Sequence, residues 1–252
     1  MPETPEATRS WPRLHRLGED RLVVEFAPAL SEPANRAALA FRAAVDAQGW
    51  HGMAETAVTP KSALLRFDPD RLPHAELEAR LADLLATRDW AAAPLPAGRT
   101  LWRIPAAFGG ENGPALGEVA ELAQASEAAL IDELAATPLR VLTIGFAPGQ
   151  PYLGPLPARW DIPRQTALTP RVAPGAVTAA VAQIVLFTVP SRTGWRQIGQ
   201  SAFAGFRPGA DPAFPLAVGD EVAFAPVRPA ELARWQARAE AGALAATREA
   251  LP

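Results

Sequence analysis

The sequence predicts an α+β fold, in which a small antiparallel sheet carrying two helices precedes a mainly β second half. Before residue 90, apolar residues alternate between strand spacing and helix spacing. After Arg140, short β-prone stretches separated by proline and glycine dominate, which is typical of a barrel or a sandwich. Segment 91–98, with two prolines and a glycine, lies between these two sequence patterns and is predicted to be a linker.

The first half predicts the order ββαββα. Strands are expected near 14–17, at 22–26, 53–58 and 62–67, and helices at 33–48 and 74–87. In the first helix Ala34, Ala38, Phe41 and Val45 fall on one face, and Gly49 ends it. We therefore expect a domain over 13–90, preceded by a flexible N-terminal arm over 1–12.

The second half predicts a domain over 99–228 and a C-terminal helix and tail over 229–252. Helical segments are expected at 114–123, with Pro114 in the first turn, and at 126–134, with Ser126 as N-cap. Beyond them β-prone runs occur at 140–143, 177–189, 195–199 and 221–225.

Composition excludes several classes of protein. The net charge of −3 argues against a dedicated nucleic-acid binder. The chain has neither an apolar run long enough to span a bilayer nor an apolar signal segment, so no membrane partner and a cytoplasmic location are expected. With no cysteine, disulfides, thiolate metal sites and cysteine nucleophiles are excluded.

Proton-transferring side chains are scarce in the second half. All three histidines lie before residue 75 without metal-ligand spacing, so no metal site is expected. Between Leu134 and Ala210 the only acidic residue is Asp161, against seven arginines. No phosphate-binding G-x-x-x-x-G-K-[ST] sequence occurs. The catalytic residues remain unassigned, and this half favours binding of an anion over acid–base chemistry.

The run from 144 to 154 predicts a rigid binding loop. Its prolines remove backbone donors and its glycines permit positive φ, so neither a helix nor a central strand is expected to continue through it. It could equally be a bare turn. Tyr152 is a candidate for contact with a ligand. The predicted loop scaffold consists of Gly145, Phe146, Pro148, Gly149, Pro151 and, from the later run at 169–175, Pro170.

Three further side chains complete the candidate small-molecule site. Arg171, held stiffly after Pro170, could bind an anionic group or could be one of several solvated arginines. Gln183 places an amide in a largely apolar strand, where an unpaired polar group is costly. Trp195 is either a core residue or a wall of the site.

Taken in order, several motifs resemble the KipI family, also known as allophanate hydrolase subunit 1 and as the B subunit of bacterial 5-oxoprolinase. They are Gly145-Phe146-x-Pro148-Gly149-x-Pro151-Tyr152-Leu153, Thr169-Pro170-Arg171-x-x-x-Pro174-Gly175-x-Val177, Gln183, Gly194-Trp195 and Ile198-Gly199. Upstream, Phe108-Gly109-Gly110-Glu111-x-Gly113-Pro114 and the segment 60–69 extend the resemblance.

The resemblance implies a cyclophilin-like β-barrel for the second domain and a protein that does not act alone. Its implied partners are the A subunit of 5-oxoprolinase and a second carboxyltransferase-like protein, the C subunit. The complex is implied to use ATP to open 5-oxoproline to glutamate. The alternative that the family implies is a non-catalytic module that inhibits a histidine kinase or another partner. The gene neighbourhood would discriminate between the two.

The sequence departs from the family's usual pattern mainly at polar positions. The departures are Ala115, Leu134, Leu139, Gln150, Ala176 and Gln200, and Arg192-Thr193 before Gly194-Trp195. The scaffold glycines and prolines match better, so the resemblance implies the fold more strongly than the activity.

Overall fold

The structure is a computed structural model that describes residues 11–251, and the chain divides into two compact units between Pro96 and Ala97. Most of the predicted N-terminal arm, 1–12, lies outside the described residues. No helix in residues 11–251 combines the length and the apolarity that crossing a bilayer requires.

The first unit has the predicted ββαββα order. Its elements are β1 (Arg13–Arg16), β2 (Arg21–Glu25), α1 (Glu32–Gln48), β3 (Met53–Val58), β4 (Ser62–Phe67) and α2 (His74–Leu85). The strands form one antiparallel sheet in the order β1-β2-β4-β3. Ser31 begins α1 by accepting a hydrogen bond from the Ala34 amide. The apolar face of α1, centred on Phe41, packs with Leu22, Leu65 and Leu77 in one core.

The second unit is built around a closed barrel of seven strands. Its elements are β5 (Thr100–Phe108), α3 (Leu116–Leu122), α4 (Glu127–Ala136), β6 (Leu139–Ile144), β7 (Pro151–Gly154), β8 (Thr169–Val172), β9 (Ala176–Ala180), β10 (Gln183–Leu186), β11 (Ser191–Thr193), β12 (Arg196–Ser201), β13 (Glu221–Pro226), α5 (Pro229–Glu240) and β14 (Thr247–Ala250). The barrel runs β12-β9-β10-β7-β6-β13-β5, and pairing of β12 with β5 closes it. The strands β8 and β11 form a separate two-stranded ribbon. The α+β fold with a barrel in the second half is therefore confirmed.

Strands β5 and β13 are parallel neighbours and share one buried anchor. The Asp220 carboxylate accepts hydrogen bonds from the Thr100 amide at 2.8 Å, the Trp102 indole at 3.0 Å and the Ala217 amide at 2.9 Å. Both Trp102 and Asp220 are buried. Three donors on one carboxylate satisfy its charge inside the fold and fix the two strands relative to each other.

Three sequence predictions were wrong about individual strands. The run 177–189 is not one strand, because Val181 and Ala182 adopt positive φ of 45° and 55° and turn the chain into a β9–β10 hairpin. No central strand was expected to continue through the proline- and glycine-rich run 144–154, but its last residues, Pro151–Gly154, form β7, which pairs with both β6 and β10. The predicted C-terminal tail contains β14, which pairs with β5.

One further strand and one helix start also differ from the sequence predictions. The strand β5, which belongs to the barrel, was not predicted as an element at all. The helix expected from Pro114 begins at Leu116, and Pro114 precedes it. The N-cap role of Ser126 is confirmed, because its hydroxyl accepts from the Ala129 amide at 3.1 Å.

Candidate functional site

A cavity of about 240 Å³ opens on the outer face of the barrel. Successive side chains of a strand point to opposite faces, and Leu153, Ile184 and Leu186 fill the barrel interior. Their neighbours Tyr152 and Val185 therefore face outward, into the cavity. The full lining comprises Phe146, Gln150, Tyr152, Arg164, Gln165, Leu168, Val185, Phe187, Arg192, Thr193, Gly194 and Trp195.

The floor of the cavity is a small apolar cluster on the outside of the barrel. Val185, Phe187 and Trp195 are buried in it, and Tyr152 packs against them. The rings of Tyr152 and Trp195 meet edge to face, with centroids 6.0 Å apart and planes at 74°. Trp195 is thus both a packed residue and a wall of the cavity, so the two alternatives for it are compatible.

The turn 145–150 supplies one side of the cavity. The Gly145 amide donates to the Gln150 carbonyl at 3.0 Å, and the Gln150 amide donates to the Ala147 carbonyl at 3.1 Å. Within this turn Phe146 has a φ of 71°, and its side chain is 77% exposed at the mouth of the cavity. Non-glycine residues seldom adopt this conformation, which costs about 1–2 kcal/mol. Backbone strain at a cavity mouth is consistent with a functional position.

Gln150 lines the cavity although its side chain is only 1% exposed. Its Oε1 atom is buried and has no hydrogen-bond partner among the described protein groups. Buried amides are nearly always hydrogen-bonded, and leaving one unpaired costs about 1–3 kcal/mol. This is therefore a polar group that a bound molecule can satisfy.

The opposite side of the cavity is carried by segment 161–168. The buried guanidinium of Arg196 donates to the Pro163 carbonyl at 2.5 Å and to Glu118 at 2.9 Å. The Gln165 amide donates to the Gly194 carbonyl at 2.7 Å. A Cβ on Gly194 would lie 2.9 Å from the Gln165 carbonyl oxygen, so only glycine allows this approach. These contacts hold Arg164, Gln165 and Leu168 against the cavity.

The charge in the lining is entirely positive. Arg164 and Arg192 are its two charged residues, and neither forms an ion pair with any carboxylate of the described residues. The Arg164 guanidinium carbon lies 5.2 Å from the centre of a Trp195 ring, a cation–π distance. Two guanidinium groups over an apolar floor favour a small organic anion as the ligand.

The structure brings together some of the predicted site residues and not others. Tyr152, Trp195 and Phe146 line the cavity, with the predicted loop scaffold behind Phe146. Arg171, exposed on β8, and Gln183, half-buried at the start of β10, are not among the lining residues. Of the four predicted site residues Tyr152, Arg171, Gln183 and Trp195, this cavity brings together Tyr152 and Trp195.

Sequence reasoning missed Gln150, Arg164 and Arg192 as cavity residues. Both arginines belong to the seven between Leu134 and Ala210, but only tertiary contacts distinguish them from Arg171. For Gln150 a signal was present, since it is a polar departure inside the glycine and proline scaffold of the resemblance.

Most other family departures lie in packed positions. Leu134, Leu139 and Ala176 are buried and apolar in the structure. The Gln200 side chain donates to the Pro174 and Ser201 carbonyls at 2.7 and 3.1 Å. Ala115 immediately precedes α3, which it does not cap with a side-chain hydrogen bond. Losing polar groups at these places is compatible with the fold and leaves the cavity lining untouched.

The cavity has little capacity for proton transfer. Its lining has no histidine, aspartate or glutamate, and its hydroxyls are those of Tyr152 and Thr193. The Thr193 hydroxyl oxygen accepts a hydrogen bond from the Trp195 amide at 3.0 Å. Within residues 11–251 no cluster of three or more histidine or carboxylate side chains could hold a metal ion. The lining is therefore suited to holding an anion and poorly suited to transferring protons.

Comparison with curated proteins gives relatives with one shared name, the B subunit of 5-oxoprolinase. The chain is 29% identical over 226 residues to the B subunit of Bacillus subtilis, covering 84% of this chain and 91% of that protein. It is 33% identical over 123 residues to the B subunit of Escherichia coli O157:H7, covering 49% of this chain and 56% of that protein.

Solved structures share the architecture. A crystal structure of TTHA0988 matches with a TM-score of 0.68 and 29% identity, over 82% of this chain and 40% of the other. The chain thus spans about two fifths of that longer polypeptide. The urea carboxylase of Kluyveromyces lactis matches 98% of this chain and 24% of its own length, with a TM-score of 0.75 at 16% identity, which shows the fold alone.

The family model described as carboxyltransferase domain, subdomain C and D, matches residues 12–216. This range includes every strand and helix of the first unit, the strands β5 to β12 and every residue that lines the cavity. The chain therefore belongs to the carboxyltransferase domain, subdomain C and D, family.

Proposed function

We propose that this chain is the B-like subunit of a 5-oxoprolinase complex that converts 5-oxoproline to glutamate with the use of ATP. The observation that carries the proposal is the match to the B subunit of 5-oxoprolinase from Bacillus subtilis, which extends over 91% of that protein. The match covers both units of this chain, so the proposal concerns the chain as a whole.

The cavity supports the role of a protein that binds and does not catalyse alone. Opening a lactam with water requires activation of a carbonyl and transfer of protons. The lining offers guanidinium, amide and hydroxyl groups but no carboxylate or imidazole. The proton-transferring groups would then come from the partner A and C subunits, as would the catalytic residues.

The use of ATP is assigned to the complex and not to this chain. The sequence lacks the G-x-x-x-x-G-K-[ST] phosphate loop. The cavity of about 240 Å³ is below the range of about 300–1,000 Å³ for pockets that hold drug-sized ligands, so ATP is not proposed as the ligand of this cavity. These residues fit a molecule smaller than a nucleotide.

The test is ATP-dependent release of glutamate from 5-oxoproline by a reconstituted complex. The A and C subunits are purified with and without this chain, and glutamate is measured with ATP present and absent. We expect turnover only when all three chains and ATP are combined. Equal rates with and without this chain would contradict the proposal. Inhibition of a histidine kinase by the chain, together with such equal rates, would favour the alternative binding module.

A further inference from the structure

Gln150 Oε1 is the one buried polar side-chain atom of the cavity lining that lacks a protein partner among the described residues. Gln150 is 1% exposed, and its Oε1 atom has no hydrogen-bond partner among the described protein groups. Its backbone is fixed by two hydrogen bonds within the turn 145–150. The backbone position of Gln150 is therefore fixed, its Oε1 is a buried acceptor without a partner, and its Nε2 is the donor on the same amide edge.

The remaining polar groups of the cavity complement an anion. Arg164 and Arg192 are its charged residues, and Arg164 is oriented by its contact with the Trp195 ring. Apolar walls from Tyr152, Val185 and Phe187 surround the space between. A molecule that fills the cavity thus contacts two cationic side chains, a neutral amide and apolar side chains.

We propose that the cavity binds a small carboxylate that also carries a cis-amide. In this arrangement Arg164 and Arg192 hold the carboxylate, and Gln150 pairs with the amide edge. Gln150 is then the residue that determines specificity for the amide. The proposal rests on the proposed function, because 5-oxoproline, a five-membered lactam with a carboxylate, belongs to this class.

A cis-amide matches Gln150 for a geometric reason. In a lactam ring the N–H and the C=O lie on the same edge, as do the donor and the acceptor of a primary carboxamide. The two edges can therefore form two parallel hydrogen bonds, N–H to oxygen in each direction. A lactone lacks the N–H and offers only acceptors, so one of the two bonds is lost and the Gln150 acceptor stays unpaired.

The experiment measures binding of four ligands to the full chain by calorimetry or by NMR titration. The ligands are L-5-oxoproline, the lactone 5-oxotetrahydrofuran-2-carboxylate, 2-pyrrolidinone and cyclopentanecarboxylate. Compared with 5-oxoproline, the lactone lacks the N–H, 2-pyrrolidinone lacks the carboxylate and cyclopentanecarboxylate lacks the whole amide. All four keep a five-membered ring. We expect 5-oxoproline to bind at least about tenfold more tightly than each of the other three.

Variants assign these differences to residues. Gln150→Met keeps an unbranched side chain and removes the amide, and should bring the lactam and the lactone to within about twofold of each other. Arg192→Gln should abolish most of the advantage of 5-oxoproline over pyrrolidinone. The matched controls are Gln183→Met and Arg171→Gln, which lie outside the cavity and should leave the whole ligand ranking unchanged.

The outcomes separate this inference from the proposed function. Equal binding of lactam and lactone by the unmodified chain, an unchanged ranking in Gln150→Met, or no binding of any ligand would overturn the inference. If the Gln150 amide contacts only water in the complex, the lactam and the lactone should bind equally, which is the first of these results. If turnover of the complex depends on the chain but Gln150→Met keeps its KM, the inference fails and the proposed function stands. If the ligand ranking is as expected but turnover is independent of the chain, the proposed function fails.

Discussion

The backbones of Gly149 and Gly205 lie in direct contact. The carbonyl group of each glycine occupies the space that a side chain on the other would need. A Cβ on Gly149 would be 2.0 Å from the Gly205 carbonyl oxygen, and a Cβ on Gly205 would be 2.3 Å from the Gly149 carbonyl oxygen. The Thr188 hydroxyl adds a hydrogen bond to the Pro148 carbonyl at 2.9 Å. These contacts fix the turn that carries Phe146 and Gln150 to the cavity.

Replacing Gly149 by alanine should displace this turn. The new Cβ would overlap a backbone carbonyl that cannot move without shifting segment 203–206, and the φ of 67° adds strain. We expect a loss of about 3 kcal/mol or more in the free energy of unfolding, measured by urea denaturation. The control Gly209→Ala shares a positive φ of 79° but meets open space, and should lose only about 1–2 kcal/mol. Equal losses would show that contact with Gly205 is not the cause.

Phe146→Gly should separate ligand binding from stability. Glycine relieves the strain at a φ of 71° but gains freedom in the unfolded chain, so the two effects of about 1 kcal/mol each nearly cancel. Binding of 5-oxoproline should weaken several-fold, because the cavity loses one apolar wall. The measurement pairs thermal unfolding with calorimetry. Phe214→Ala, another exposed aromatic that does not line the cavity, should leave affinity unchanged.

The overall plan of the chain could be predicted from sequence because local patterns determine it. The alternation of apolar side chains along β4 and the apolar stripe along α1 were enough to predict the strands and helices of the first unit. Ser126 was predicted as an N-cap because capping is a local interaction. Strand β5 carried no such local signal, since its role depends on pairing with β13 far along the chain.

The cavity was predictable only in part, for the same reason. Tyr152 and Trp195 come close together because β7 and the residue before β12 flank the same outer cluster. Which arginine joins them depends on the path of segment 161–168, and that path depends on hydrogen bonds from Arg196 and Gln165. No spacing rule reveals such contacts, so Arg171 and Arg164 were indistinguishable in the sequence.

Asp220→Asn should weaken the junction of β5 and β13. The carboxylate accepts from three donors, Thr100, Trp102 and Ala217, whereas an asparagine amide would direct its own N–H groups towards at least one of them. We expect a loss of at least about 2 kcal/mol in the free energy of unfolding. Fluorescence of the tryptophans during denaturation measures it. The exposed Asp211→Asn is the control, and a comparable loss there would contradict this explanation.

The stability of the first unit should depend on pH through Glu25. Lys61 Nζ lies 2.6 Å from Glu25 Oε1, and the hydrogen bond from Lys61 lowers the pKa of this carboxyl below its ordinary value of 4.5, although burial opposes the shift. A folded-state pKa below the unfolded one contributes stability above about pH 4.5, which is lost as the pH falls through the folded pKa.

Lys61→Met removes this contribution and so tests it. Its free energy of unfolding should fall less steeply than that of the unmodified chain as the pH is lowered from about 6 to 3. Glu78, whose pKa Arg16 lowers, titrates in both proteins and cancels in the comparison. Parallel curves over this range would exclude Glu25 as a source of the acid sensitivity.

The parallel junction of β5 and β13 has a consequence for synthesis on the ribosome. Trp102 and Asp220 are 118 residues apart, so β5 leaves the ribosome long before its partner exists. At about 5–20 residues per second this delay lasts about 6–24 s. During that time the nascent chain exposes an unfinished sheet edge, so chaperones that shield such edges should matter more for the second unit than for the first.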